Sequence, residues 1–391
     1  MGIAVIGTGI VGFTSARDKF RSWIEWYGAE FRLSQNPRRP DGRQSAQNRR
    51  RGIGGPAAAR IIYATIRKLY TPHQGVLFDV ISFGKVKFFR YFSGQDMKVK
   101  FWGVRGSIPS PGPNTVRYGG NTTCIEVRTD DNELIIVDAG TGIFPLSQSL
   151  LGEMPLTANV LISHSHWDHI QGLPFFAPNF IPGNVLRLHG AFDPESGKGV
   201  EQVMSVQLQY SYFPVRESEM KARIEYVTLA AETSIQIGSA TITPHLMNHP
   251  VINFAYRIEA NGKSIFITGD HEPPQNIYEP GESEYAAYQN LVDSRNKVIL
   301  RAMRGVDVLI ADCSYTEQEY PEKRGWGHGT FSSSIQYAVD AGAKVLFCTH
   351  HEPTRSDAAL EAAFQEVLTN HPPQPGGPTY RLAREGETYE F

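Results

Sequence analysis

The stretch VLISHSHWDHIQGLPFF, residues 160–176, places three histidines and one aspartate within six positions. They are His164, His166, Asp168 and His169, directly behind an apolar run. Imidazole and carboxylate groups suit zinc, manganese or iron as ligands. A polar loop with chance histidines is the alternative, but the order H-x-H-x-D-H has a geometric reason. The stretch therefore predicts a metal site.

The chain around this motif predicts how it could hold two ions. Residues 158–163, ANVLIS, have the pattern of a buried strand. Side chains two residues apart at a strand end point the same way, so His164 and His166 can share one ion. The chain then turns, and we expect Asp168 and His169 to begin a helix that runs through HIQGLPFF and to face a second ion.

Length and composition are those of a soluble globular protein, and 391 residues suffice for one large or two ordinary domains. The three cysteines, Cys124, Cys313 and Cys348, are far apart, which favours neither a disulfide framework nor a C-x-x-C site. No apolar run reaches the ~18 residues of a membrane span. The amino-terminal residues lack the basic start of a secretory signal. We therefore expect a cytoplasmic protein in a reducing compartment.

The first 96 residues differ from the rest in charge. They carry 16 Lys+Arg and 6 Asp+Glu, which leaves 22 and 34 of the totals of 38 and 40 for residues 97–391. GTGIVG at residues 7–12 resembles a dinucleotide-binding glycine pattern, but no second strand ending in an acidic residue follows, so NAD binding is not predicted. Residues 32–56 are rich in Arg, Pro, Gly and Gln and are predicted to be disordered. We predict that residues 1–96 are a basic, largely disordered or dispensable extension and that residues 97–391 are the catalytic domain.

Strand and helix patterns alternate along residues 97–391. Strand patterns include KVKFWGV, ELIIVDAG, KSIFITGD, DVLIADCS and KVLFCTH, and helical patterns cover residues 143–151, 198–209, 283–303, 331–341 and 356–368. Asn261-Gly262 predicts a type I′ hairpin turn. This order fits an α/β fold of two mixed β-sheets with helices on their outer faces.

More potential ligands fall at the ends of predicted strands. His249 follows the strand pattern ATITPHL, Asp270 ends SIFITGD, and His350 ends KVLFCTH, where ligands converge in sheet-based enzymes. With the first motif they make seven potential donors: His164, His166, Asp168, His169, His249, Asp270 and His350. Two divalent ions need roughly six to eight protein donors, with one bridging carboxylate. The sequence therefore predicts a dinuclear centre, with zinc first and manganese or iron as alternatives.

These motifs resemble those of the metallo-β-lactamase-fold hydrolases, in the branch of ribonuclease Z and the cyclic-nucleotide and phosphonate-ester phosphodiesterases. The resemblance covers residues 97–391 and implies a four-layer αβ/βα sandwich with its dinuclear site at one edge of the two sheets. It implies that His164, His166 and His249 bind one ion, that Asp168, His169 and His350 bind the other, and that Asp270 bridges them. His351 beside His350 leaves the position of the last ligand open.

The segment WGHGTFSSSIQYAVDAGAKVLFCTHHEP resembles a segment of the phosphodiesterases in this branch. The resemblance implies that His328 binds no metal and assists the phosphate and its leaving oxygen. Asp168 and His328 are thus the candidate catalytic residues, Asp168 also being a ligand. We expect a dinuclear phosphodiesterase that acts on a small phosphodiester such as a cyclic nucleotide.

Three other functions stay open. They are an acyl hydrolase of the lactamase, lactonase or glyoxalase type, a tRNA-processing endonuclease, and a non-enzymatic binding protein that has a hydrolase fold. The balance of −12 over residues 97–391 argues against a nucleic acid partner, since nucleic acid is bound by basic surfaces. The expected partner is a small molecule, without membrane association, and a homodimer is an option. Trp102, Trp167 and Trp326 could stack on a base, but packing in the core or at a rim is the expectation.

Overall fold

The computed structural model describes residues 97–193 and 197–391 in full and, before residue 97, the backbone of four strands. The chain divides into two compact units, Met1–Gly94 and Gln95–Phe391. The division lies within a few residues of the boundary predicted at 96/97. GTGIVG and the stretch predicted to be disordered, residues 32–56, lie outside the described residues.

The described part of the first unit is one antiparallel sheet in the order β1-β4-β3-β2. Its strands are β1 (Ile3–Val5), β2 (Thr65–Thr71), β3 (Val76–Phe83) and β4 (Val86–Tyr91). The sequence analysis predicted no strand between residues 65 and 91. Whether this unit is dispensable stays a prediction.

The second unit holds two seven-stranded mixed sheets. The first sheet has, in order, β10 (Arg223–Leu229), β9 (Val185–Ala191), β8 (Thr157–Leu161), β7 (Leu134–Val137), β6 (Cys124–Arg128), β5 (Lys98–Gly103) and β18 (Thr388–Glu390). The second sheet has β11 (Ile235–Ile237), β12 (Ala240–Leu246), β13 (Phe254–Ala260), β14 (Lys263–Ile267), β15 (Val308–Asp312), β16 (Val345–Thr349) and β17 (Thr379–Leu382). β7 to β10 are parallel to one another, as are β14 to β17.

The strand sequences match these positions. β15 and β16 lie in the parallel part of the second sheet, which is covered on both faces. All five residues of each strand are buried, which explains their continuous apolar runs. The predicted hairpin turn between β13 and β14 is confirmed: Asn261 and Gly262 have φ of 51° and 78°, as a type I′ turn requires.

Helices cover the outer faces of the sheets. Those of the second unit are α1 (Ile143–Ser149), α2 (Trp167–Ile170), α3 (Glu201–Gln207), α4 (Tyr285–Met303), α5 (Phe331–Ala341) and α6 (Asp357–Asn370). One apolar cluster joins residues of both sheets, a second joins the second sheet to α4, α5 and α6, and a third joins the first sheet to α1, α2 and α3. The four-layer sandwich of the sequence analysis is confirmed.

One predicted helix is wrong. The helix expected to run through HIQGLPFF ends at Ile170 and is followed by 3-10 turns at Leu173–Phe175 and Ala177–Phe180. Gly172 and Pro174 explain this, because glycine weakens a helix and proline lacks the N–H that would bond to the preceding turn. In addition, β10, β11, β17 and β18 were not predicted.

We expect a chain that starts at Met97 to keep its melting temperature and metal content. The second unit closes on itself, because Met97 N donates to Phe391 O at 3.1 Å and Phe391 N donates to Met97 O at 3.0 Å. Thermal unfolding, elemental analysis and turnover of the truncated and full-length proteins test this. An insoluble or inactive truncated protein, or micromolar NAD(H) binding to the full chain, would contradict the predicted boundary.

Among the described residues, no helix is both long enough and apolar enough to span a membrane.

Candidate metal centre

Strand ends from both sheets meet at one edge of the sandwich. In the first sheet β8 leads to His164 and His166. In the second, β14 leads to Asp270 and β16 to His350. β12, which leads to His249, is antiparallel to β13, and β13 is antiparallel to β14, so β12 and β14 run the same way. The carboxyl ends of these strands therefore bring the predicted residues together.

A first group of potential ligands consists of His164, His166, His249 and Asp270, whose ligand atoms all lie within 4.8 Å of one another. His249 Nε2 is 3.2 Å from His166 Nδ1 and 3.9 Å from Asp270 Oδ2. His164 Nε2 is 3.4 Å from the same carboxylate oxygen. Two imidazoles thus lie near one oxygen of Asp270, and the third, that of His166, lies beside His249.

A second group consists of Asp168, His169, His350 and Asp270, again within 4.8 Å. Here the other carboxylate oxygen takes part: Asp270 Oδ1 is 3.2 Å from His169 Nε2 and 3.2 Å from His350 Nε2. Asp168 Oδ2 is also 3.2 Å from each of these two nitrogens. Asp270 belongs to both groups and presents one oxygen to each, as a bridging ligand would.

The residues fit divalent ions. Ligands about 2.1 Å from a tetrahedral ion lie about 3.4 Å from one another, which is close to the separations in both groups. Three buried polar atoms, His164 Nε2, His169 Nε2 and Asp270 Oδ1, have no hydrogen-bond partner within the described part of the chain. Buried polar atoms are normally paired, and ions bound among these ligands would give all three atoms a partner. All seven predicted donors are brought together.

The two carboxylates of the cluster are held in the charged form. Burial raises the pKa of Asp270, but the imidazoles of His169 and His350 outweigh burial and bring this pKa well below its usual value. Burial likewise raises the pKa of Asp168, and the same two histidines lower it overall. Two buried carboxylates that stay ionised supply negative charge for cations.

Further residues orient the histidines, and the sequence analysis missed one of them. Asp138 Oδ2 lies 2.7 Å from His169 Nδ1, and Ser163 N donates to Asp138 Oδ1 at 2.7 Å. Asp138 has a φ of 63°, a rare conformation for a residue other than glycine. Contacts of this kind fix which ring nitrogen faces an ion. The signal that could have found Asp138 is its place directly after the strand β7, in LIIVDAG.

The structure places His350, not His351, in the cluster. His350 has a φ of 58°, which turns its ring toward Asp168 and Asp270. His351 Nε2 instead donates to Ala383 O at 2.8 Å, away from both groups. The choice depends on backbone conformation, which adjacent identical residues do not reveal in a sequence.

His328 lies beside the cluster and is held by a carboxylate. Its Nδ1 is 2.9 Å from Asp312 Oδ2, which leaves Nε2 for a ligand. Burial lowers the pKa of His328, but Asp312 and Asp270 outweigh burial and raise it to about 9, and cations at the cluster would lower it again. His328 also belongs to a third group of potential ligand atoms, with Asp270, Asp312 and His350. Metal analysis of a His328 variant distinguishes a metal ligand from a proton donor.

A cavity of about 400 Å³ opens onto these groups. It is lined by Ser107, Ser165, His166, Trp167, Asp168, Asp270 and His328. Ligand cavities of roughly 300–1,000 Å³ are typical of small-molecule sites.

Arg105 supports the loops of this edge and was not found by sequence analysis. Its side chain is fully buried. It donates to Gly119 O and Arg355 O, both at 2.8 Å, and lies 3.5 Å from Asp357 Oδ1. The next residue, Gly106, faces the His350 ring, which a Cβ there would meet at 2.2 Å. Arg105 thus fixes the chain that packs against a potential ligand.

We expect Arg105→Met to lower the free energy of unfolding by about 3–5 kcal/mol, because it breaks a buried ion pair with Asp357 and leaves the carbonyls of Gly119 and Arg355 without their donor. Lys98→Met is the control: Lys98 pairs with Glu390 at 2.8 Å on the surface, where a pair contributes about 0–1 kcal/mol. Denaturant unfolding of both variants measures the difference. Equal losses would mean that Arg105 has no special structural role.

The fold and the cluster together are those of a protein with the metallo-β-lactamase fold. The family model of the Beta-lactamase superfamily domain matches residues 134–351, which contain all seven potential ligands. The chain belongs to this family and is a metallo-β-lactamase-fold hydrolase.

The chain is also similar to named relatives and, in its fold, to a solved structure. The chain is 23% identical over 303 residues to the protein named Ribonuclease Z of Thermoplasma volcanium, across 69% of this chain and 94% of that one. It is 25% identical over 293 residues to Ribonuclease Z of a Synechococcus strain, across 66% and 88%. The fold is similar to that of the metallo-beta-lactamase fold protein YhfI from Bacillus subtilis, with a TM-score of 0.53, 20% identity and coverage of 76% and 100%.

Proposed function

We propose that this protein is a dinuclear metal-dependent phosphodiesterase, with zinc as the metal, that hydrolyses a small diester such as a cyclic nucleotide. The observation that carries the proposal is His328. An imidazole held by Asp312 at 2.9 Å lines the same cavity as Asp168 and Asp270. A positioned imidazole of this kind is suited to give a proton to a leaving oxygen.

The residues around the cavity have two different roles in the proposed reaction. Two ions would be held by two sets of proposed ligands, and Asp270 would belong to both sets. The first set is His164, His166 and His249, and the second is Asp168, His169 and His350. Divalent ions there would supply a water whose pKa is lowered to about 7 and neutralise charge on the phosphoryl oxygens. His328 donates its proton through Nε2, and Asp312 stabilises the imidazolium before that transfer.

The cavity and the charge favour a small substrate. A volume of about 400 Å³ is that of a small-molecule site. Residues 97–391 carry 22 basic and 34 acidic residues, whereas proteins that bind long nucleic acids need basic surface. A mononucleotide diester needs only the cluster and the cavity.

A panel of substrates tests the proposal on the purified, metal-loaded protein. It contains cyclic nucleotides, linear dinucleotides, bis(p-nitrophenyl) phosphate, a lactam and a thioester. The proposal expects turnover of diesters and none of the acyl substrates. Turnover of the lactam or thioester alone would replace it with an acyl hydrolase.

A ribonuclease is the second candidate, because two relatives that match most of their length are named Ribonuclease Z. A structured precursor RNA added to the same panel separates the two. Cleavage of that RNA with no turnover of small diesters would favour the ribonuclease.

A further inference from the structure

Trp167 is an exposed aromatic side chain in an unusual place. It lies between two proposed ligands, His166 and Asp168, at the start of α2. It is 60% exposed and lines the cavity that opens onto the cluster. Exposing a large apolar ring to water is unfavourable, so the exposure of Trp167 calls for a functional explanation.

The other described tryptophans make contacts that Trp167 lacks. Trp102 Nε1 donates to Glu126 at 2.8 Å, and Lys100 Nζ lies 3.9 Å from its ring. Trp326 has Lys323 Nζ at 4.3 Å from its ring. Among the residues that the structure describes, Trp167 makes no ring contact, cation contact or side-chain hydrogen bond. Its indole is free to receive a flat group.

The loop that contains Ser107 borders the cavity and carries another exposed apolar side chain. Ser107 also lines the cavity, and its N–H donates to Asp168 Oδ2 at 2.8 Å. Its φ of 60° is rare outside glycine, and the next residue, Ile108, is 60% exposed. The cavity therefore combines polar residues, over which a phosphate would lie, with the exposed ring of Trp167 beside them.

We infer that Trp167 determines specificity by stacking on the nucleobase of the diester, whose phosphate lies over the cluster. The inference rests on the proposed phosphodiesterase and narrows its substrates to nucleotides. A nucleobase presents a flat π-face, and stacking on an aromatic ring tolerates any base. The protein should therefore discriminate weakly among the four bases but strongly between diesters that carry a base and diesters that do not.

Two cyclic phosphates test the inference, since they share the reacting five-membered ring and only the first carries a ribose and a base. They are 2′,3′-cyclic AMP and glycerol 1,2-cyclic phosphate, assayed with the metal-loaded full chain. Trp167→Leu should raise KM for 2′,3′-cyclic AMP about tenfold or more, the range that loss of one stacked base gives, and leave kcat/KM for the glycerol ester within about twofold. Trp167→Phe should keep most of the preference, because it keeps a ring.

Phe144→Leu is the matched control, because Phe144 is 51% exposed on α1 and does not line the cavity. It should leave both substrates unchanged. Binding of AMP, measured by calorimetry, gives a second readout, and Trp167→Leu should weaken it about as much as it raises KM.

The outcomes distinguish the stacking role of Trp167 from the proposed phosphodiesterase activity. Equal losses on both substrates, or unchanged AMP affinity in Trp167→Leu, would overturn the stacking role. If the wild type hydrolyses neither ester nor any diester of the substrate panel, the phosphodiesterase proposal fails, and the AMP measurement still decides whether Trp167 receives a base.

Discussion

Asp270→Ala should lose at least one of the two expected equivalents of metal and more than about 100-fold in kcat/KM. Asp270 is the residue that belongs to both ligand groups, with Oδ1 at 3.2 Å from His350 Nε2 and Oδ2 at 3.4 Å from His164 Nε2. Removing an outer-shell partner of a metal ligand already costs about 10–100-fold, so loss of a bridging ligand should cost more. Elemental analysis of purified wild type and variant gives the metal content, and bis(p-nitrophenyl) phosphate gives the rate.

Asp307→Ala is the control for this experiment. Asp307 is another buried aspartate of the second sheet, at the amino end of β15, where it accepts from Ser264 N at 2.8 Å and pairs with Lys344 at 2.6 Å. Its loss should lower the melting temperature and leave two ions. A wild type with one tight ion and full activity would refute the dinuclear centre.

His328→Ala should keep both ions and lose about 10²–10⁴-fold in kcat on a cyclic nucleotide, the usual contribution of a positioned proton donor. The alkoxide leaving group of a cyclic nucleotide needs that proton. p-Nitrophenolate departs without one, so the loss on bis(p-nitrophenyl) phosphate should be much smaller. The contrast between the two substrates is the measurement, because misfolding would lower both rates equally.

His245→Ala controls for the loss of a buried histidine away from the cluster. His245 Nδ1 lies 2.8 Å from Glu232 Oε1, and its removal should leave the ratio of the two rates unchanged. His164→Ala, by comparison, should lose metal. If His328→Ala loses an ion, His328 is instead a metal ligand within the third group. If kcat falls equally on both substrates, His328 is not the proton donor.

Local pattern was enough to predict much of the fold. Apolar runs such as VLIAD and VLFCT are buried strands because both faces of a parallel strand are covered, and this shows in composition alone. The turn at Asn261 and Gly262 was equally legible, since few residues adopt positive φ in succession. The short edge strands β11, β17 and β18 were not predicted, because a partly exposed strand of three or four residues is too short to show a periodic pattern.

The sequence by itself determined which side chains are available: an H-x-H-x-D-H motif after a strand, with three further potential ligands at the ends of other strands. Only the tertiary structure decided how they meet. Asp270 is shared because strands from two sheets end at the same edge, His350 rather than His351 faces it because of one backbone angle, and Asp138 and Arg105 support the site from residues distant in the chain. A periodic pattern reports which face of an element is buried, whereas the meeting of strand ends depends on how the two sheets pack, which no local stretch encodes.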